Sequence, residues 1–108
     1  MEELLQTFYA DKPLQKCVTD VTEFAVGERK VYLSPILDLF NGEIISYNLS
    51  LHPTFHQTVD MLNKAFAKIP DNSGLILHSD QGWQYQMKRY QHLLSEKGII
   101  QSMSRKGN

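Results

Sequence analysis

Among its 108 residues the chain has a single cysteine, Cys17. One thiol excludes an internal disulfide and a cysteine-based zinc cluster. His52, His56 and His92 lack zinc-like spacing with it, so no structural zinc site is expected. A basic excess is missing as well. The 11 Lys and Arg residues stand against 12 Asp and Glu, a formal net charge of -1. Charge alone therefore makes no case for nucleic acid, whose strong binders usually carry a basic patch. The positive residues that are present collect late, at Lys88, Arg89, Lys97, Arg105 and Lys106. No apolar run approaches the ~20 residues of a membrane span. The acidic start, Met1-Glu2-Glu3-Leu4-Leu5, lacks the basic and apolar regions of a secretory signal, and a cytoplasmic location is expected.

What remains fits one small folded domain with a modest core. The apolar fraction is 42% and the charged fraction 21%, values that suit neither a disordered tail nor a membrane protein. Residues 1–15 read as a lead-in and residues 16–108 as the domain proper.

Hydrophobic periodicity divides that domain. Residues 17–24 read as a strand, with Val18, Asp20 and Thr22 on one face and Cys17, Thr19 and Val21 on the other. After a turn at Val26-Gly27-Glu28-Arg29, residues 30–39 form a second strand. Pro35 within it predicts a bulge or local break. Asn41-Gly42 signals a hairpin, and residues 43–51 return as a third strand.

Phe55, Val59, Leu62, Phe66 and Ile69 then recur at helical spacing, widened by Met61 and Ala65. Thr54 is a candidate cap and Pro70 closes the segment. Residues 75–78 are a fourth, strongly apolar strand. A second helix is expected over 84–97, with Met87, Tyr90, Leu93 and Leu94 inward and Gly98 as its stop. Residues 99–103 make a short fifth strand. Three antiparallel strands followed by two α/β units give a mixed sheet, because helices supply the crossovers that parallel pairing needs. This α/β order is compatible with a ribonuclease H-like fold without selecting it uniquely.

Two aspartates end strand-like runs. Asp20 lies in Cys17-Val18-Thr19-Asp20-Val21-Thr22, and Asp80 in Leu77-His78-Ser79-Asp80-Gln81-Gly82-Trp83. Each alone reads equally well as a strand-end or cap residue. Paired, they offer hard oxygen ligands for a divalent cation. Asp11, Asp38, Asp60 and Asp71 are also available, so the residue types alone do not settle the pair.

Longer motifs sharpen the choice. Val18-Thr19-Asp20-Val21-Thr22, Tyr32-Leu33-Ser34-Pro35-Ile36-Leu37-Asp38-Leu39-Phe40 and His78-Ser79-Asp80-Gln81-Gly82-Trp83-Gln84-Tyr85 resemble the catalytic integrase core of bacterial insertion-sequence transposases. That is the DDE type related to retroviral integrases. The ending Ser102-Met103-Ser104-Arg105-Lys106-Gly107-Asn108 resembles the stretch before the family's last catalytic region. The likeness runs from about Pro13 onward. It departs at Cys17, where the family often has Trp. It also lacks a counterpart to the family's final catalytic Glu, a place that Glu96 does not match.

The resemblance implies a ribonuclease H-like core and an Asp-Asp-Glu parent enzyme. That enzyme cleaves DNA at the element end and joins the freed 3′ hydroxyl to target DNA. Asp20 and Asp80 would be the catalytic and metal-binding residues, holding Mg²⁺ or Mn²⁺ weakly. His78, Ser79 and Gln81 would support them or contact phosphate. Trp83, Tyr85, Lys88, Arg89, Arg105 and Lys106 are the candidate DNA contacts. Transposon-end and target DNA are the implied partners, with self-association expected. The domain is expected to be incomplete at its C-terminus and inactive alone. A noncatalytic assembly module is the alternative from a different class. A ribonuclease acting on RNA–DNA hybrids and a phosphate-accepting receiver domain fit less well, the latter because its acidic cluster and late Lys are not evident.

Overall fold

A computed structural model describes residues 10–52 and 54–104. Its elements are β1 (Lys16–Thr19), β2 (Thr22–Val26), β3 (Arg29–Asp38), β4 (Ile44–Ser50), α1 (Phe55–Phe66), β5 (Ile76–Ser79), a 3₁₀ turn (Trp83–Gln86), α2 (Lys88–Lys97) and β6 (Ile100–Met103). β3 lies antiparallel to β4 on one side and to β1 and β2 on the other. β5 runs parallel to β1, and β6 parallel to β5. This is the mixed sheet of a ribonuclease H-like core.

The strand expected over 17–24 is divided. β1 and β2 nevertheless keep one register against β3, with Thr19 opposite Ile36 and Thr22 opposite Leu33. The gap falls at Asp20 and Val21, which face Pro35 and Ser34 by that register. Proline has no N–H to donate to a ladder, so the pairing opens at this level. The bulge itself lies further along β3, between Ile36 and Leu37 on the β4 side. Ile45 is the extra residue there and turns into the core.

Both helices pack on one face of the sheet. Cys17, Ile36 and Leu77 from the strands join Met61, Leu62, Ala65, Tyr90 and Leu94 in one buried cluster. Ser46 Oγ donates to the Met61 carbonyl across the same layer. The centre of α1's buried stripe is Thr58, Met61, Leu62 and Ala65. Phe55 and Phe66 only flank the core, so the stripe is rotated from the one the sequence suggested. The opposite face leaves Ile44, Tyr47, Leu49 and Ile100 exposed.

The second helix also differs. Residues 83–86 form a 3₁₀ turn, and Met87 is extended at ψ 134 before α2 begins. Met87 is exposed rather than inward. At the far end Gly98 closes α2 in the left-handed region, φ 82, with its N–H on the Leu94 and Ser95 carbonyls. A side chain there would meet the Asn72 backbone, since an added Cβ falls 2.4 Å from Asn72 Cα. No helix among the described residues is long and apolar enough to cross a membrane.

Candidate active site

Parallel pairing of β1 with β5 sets Val18 beside His78. Two residues on, Asp20 and Asp80 leave the carboxyl ends of these neighbouring strands together. Crevices outside such strand ends are where open α/β sheets bind ligands.

Each carboxylate is held by a local backbone donor. Val21 N–H donates to Asp20 Oδ1 at 2.8 Å, and Gly82 N–H donates to Asp80 Oδ1 at 2.8 Å. Burial raises the Asp20 carboxyl above its ordinary range. The negative charge of Asp80 and a hydrogen bond between the two side chains push the same way, while the Val21 N–H opposes them. The two carboxyl groups therefore stand close enough to interact. Gly82 makes this possible at Asp80, because an added Cβ would stand 3.0 Å from Asp80 Oδ1. Among the described residues no group of three or more His, Cys, Asp or Glu side chains is arranged to hold a metal.

The residues around the pair divide clearly. His78 is buried, with Nδ1 2.9 Å from Ser102 Oγ, and burial lowers its pKa. Ser79 is buried and donates to the Asp80 carbonyl. Gln81 reaches from the exposed loop to the Ser104 carbonyl, tying the Asp80 loop to the end of β6. Trp83 is 52% exposed on the rim. Lys88 and Arg89 are exposed in the first turn of α2, which begins just after this loop. Arg105 and Lys106 lie outside the described residues.

Tyr85 is different. It is 1% exposed and packs edge-on against Tyr90, with ring centroids 5.4 Å apart. Its ring is enclosed in the core and has no face to offer a base. Burial pushes its phenol well up, the charges of Asp20 and Asp80 add to this, and the Thr19 and Gln84 side chains oppose it. Thr19 Oγ1 in turn donates to the Pro35 carbonyl at 2.9 Å. The phenol thus lies close to both the aspartates and to Thr19, the residue before Asp20. Sequence reading missed it, because Thr19 carried no signal beyond its place on the buried face.

The other acids stand apart. Asp38 is buried and accepts the Leu14 and Phe40 backbone N–H groups. Asp60 pairs with Lys64 and Asn48, and Asp71 with Lys97. Glu96 pairs with His92 on the exposed side of α2.

Comparison with known proteins identifies the family and the fold. The family model described as "Integrase core domain" matches residues 10–108. The chain is 58% identical over 105 residues to "Putative transposase InsK for insertion sequence element IS150" of Escherichia coli K12, covering 97% of this chain and 37% of that protein. It is 56% identical over 108 residues to an "Uncharacterized transposase-like protein" of Haemophilus influenzae, covering 99% and 50%. The chain thus spans half or less of these two relatives.

Among solved structures, a chain of the simian T-cell lymphotropic virus intasome superposes with a TM-score of 0.79 at 20% identity, over 93% of this chain and 35% of the other. The HTLV-2 integrase catalytic core domain, solved in complex with magnesium, gives 0.75 at 21% identity, over 87% and 62%. At such identities these structures speak for the fold. With the family match over nearly its whole length, the chain belongs to the integrase core domain family of DDE transposases and integrases.

Proposed function

We propose that this chain supplies two of the metal-binding carboxylates of a transposase core that cuts and joins DNA. The convergence of Asp20 and Asp80 at the ends of adjacent parallel strands carries this reading. The insertion-sequence transposases among its relatives support it. The donor set fits Mg²⁺ or Mn²⁺: two hard carboxylate groups, each with one oxygen fixed by a backbone N–H and the other unclaimed by that donor. A divalent cation would also relieve the repulsion that helps raise Asp20. When bound, it would supply Lewis-acid activation of a hydroxyl nucleophile and stabilisation of the leaving oxygen.

The protein's own part is positioning. The Val21 and Gly82 amides fix the two carboxylates. Ser79 and Gln81 shape the loop between β5 and the 3₁₀ turn. His78, locked to Ser102, holds β5 and β6 together beneath it. Trp83 on the rim, with Lys88 and Arg89 beyond it, would meet transposon-end or target DNA, the cations taking phosphate.

Manganese titration of the chain tests this. A weak response is expected, because two carboxylates leave most of the coordination to water. It should largely vanish in D20A/D80A. An equal response in the double variant would place the metal elsewhere and sink the reading. Strand transfer by this chain alone is expected to be negligible for the same shortage of ligands.

The exposed Ile44, Tyr47, Leu49 and Ile100 favour a second reading, a noncatalytic module that self-associates. Sedimentation at rising concentration separates the two. Metal-independent dimers without any Mn²⁺ response would favour the module.

A further inference from the structure

β4 is an edge strand, paired with β3 alone among the described residues. The ladder decides which of its backbone groups stay unpaired. Pro35 lies opposite Tyr47, and the Pro35 carbonyl accepts from Thr19 on the β1 side. In an antiparallel ladder, opposite residues alternate between pairs that exchange hydrogen bonds and pairs that point away from each other. Pro35 and Tyr47 are therefore a pair of the second kind, and so are Leu33 and Leu49, two residues on. Tyr47 and Leu49 turn their N–H and C=O groups outward, while Asn48 and Ser50 spend theirs on β3.

The side chains beside this free edge are sorted by face. Tyr47 and Leu49 lie on the open face of the sheet, both 54% exposed. On the helix side, Ser46 and Asn48 are bonded to Met61 and Asp60 of α1. The run from Ile44 to Leu49, with Lys64 and Lys68 of α1, lines an open depression of about 570 Å³ and includes no carboxylate. That size falls within the ~300–1,000 Å³ of ordinary ligand sites. Asp60 answers Lys64 at 3.1 Å. Lys68 has no carboxylate partner among the described residues. Its ammonium donates to the Ile45 carbonyl at 2.9 Å and closes the edge at that end. Glu43 comes just before β4 and is the nearest further acid in sequence. Lysine beside a free edge guards it against like copies. Pairing β4 with β4 about a two-fold axis normal to the sheet would bring two sets of Lys64 and Lys68 to one seam. The same lysines attract a strand that carries acids on its helix side.

We infer that the outer edge of β4 is a docking site for an extended acidic segment of a partner protein, added antiparallel as a further strand. The N–H and C=O groups of Tyr47 and Leu49 hold its backbone. Its apolar side chains lie opposite Tyr47 and Leu49 on the open face, and the alternate carboxylates turn toward Lys64 and Lys68. In such strand addition the backbone supplies the grip and the alternate side chains the choice of partner. Neither metal nor DNA takes part. Two open faces stacked on each other would leave this edge free, so the site is distinct from self-association through the apolar face.

The test is titration of the isotope-labelled chain with a short capped peptide alternating valine and glutamate, read by amide hydrogen exchange. In the free chain the Tyr47 and Leu49 amides should exchange much faster than those of Asn48 and Ser50. Saturating peptide should slow Tyr47 and Leu49 by about tenfold or more. Affinity should fall several-fold in K64A and in K68A, and by about tenfold when lysine replaces glutamate in the peptide. Both differences should shrink with added salt. Because K68A also removes the bond to Ile45, altered peptides supply a second reading on the unaltered chain. The valines lie opposite Tyr47 and Leu49, and in the antiparallel pair their N–H groups face β4. N-methylation of the valines should abolish binding, while N-methylation of the glutamates should leave it. Tolerance of methylated valines, or equal affinity for the lysine peptide, would overturn the inference. So would a concentration-dependent dimer that protects the Tyr47 and Leu49 amides without peptide, since the edge would then belong to a second copy.

Discussion

Pro35 stands opposite Asp20 in the ladder between β1 and β3, at the point where the ladder opens. In an antiparallel pair, one residue's N–H and C=O point to the same neighbour. The Pro35 carbonyl accepts from Thr19 Oγ1, so the N–H that proline lacks belongs on the β1 side. The Asp20 carbonyl therefore lacks a ladder donor, and beside this gap the Val21 N–H donates to the Asp20 carboxylate. The imino acid in β3 and the free carboxylate after β1 are one device.

Pro35→Ala tests that device. An alanine N–H would let the ladder close through Asp20 and compete with the local carboxylate turn. The expected result is slowed hydrogen exchange around residues 20 and 35 and a several-fold weaker Mn²⁺ response, with little loss of stability. Unchanged exchange and unchanged metal response would show that proline is incidental to the gap.

Tyr85→Phe removes only the buried phenolic oxygen beside Thr19 and the two aspartates. Thr19 keeps its bond to Pro35, so the stability cost should be modest, about 1 kcal/mol for one net hydrogen bond. If the phenol sets the spacing of the carboxylates, the Mn²⁺ response should fall further than the stability does. A drop in stability alone would reduce Tyr85 to packing.

How far the sequence could be read follows from what each feature needs. The succession of strands and crossover helices was legible because local period specifies it, whereas the aspartate pair rested on motif resemblance, and its placement on neighbouring strand ends needed the β1–β5 register. The gap in the first strand was foreshadowed by Pro35, yet its location needed the register. The rotation of α1 was not legible, because Phe55 and Phe66 fit the same period as Met61 and Ala65, and only the sheet decides between them. Met87 looked inward for a similar reason: a helical count was carried through a 3₁₀ turn.

Gly98→Ala should be among the most damaging small substitutions. Gly98 has φ 82 and carries a close contact, 2.4 Å from an added Cβ to Asn72 Cα. The turn at Asn72 is tied to the same place, since Asn72 N–H donates to the Lys97 carbonyl and Gly74 N–H to that of Gly98. Left-handed strain and the backbone clash together should cost about 2–4 kcal/mol, read as a lower urea midpoint at unchanged m-value. A loss under about 0.5 kcal/mol, the range of neutral surface changes, would mean that the turn yields freely.

The last expectation concerns Cys17, which has no exposed surface. Burial, with a smaller push from the nearby Asp38 charge, raises its thiol from the ordinary 9.0 to about 12. The native thiol should stay protonated and resist alkylation at pH 8 to 9, while urea-unfolded protein reacts readily. The sign of the stability effect follows from linkage. The folded pKa is raised, so its contribution is fully present below pH 9 and is lost as pH climbs from about 9 to about 12. The Tyr85 and Tyr90 phenols, both raised chiefly by burial, push in the same direction. Cys17→Ala should flatten part of this alkaline decline at some cost in packing at neutral pH. An equally steep decline in the variant would assign the loss to the tyrosines. Rapid alkylation of the folded protein at pH 8 would show that the β1 side of the core opens far more readily than its packing implies.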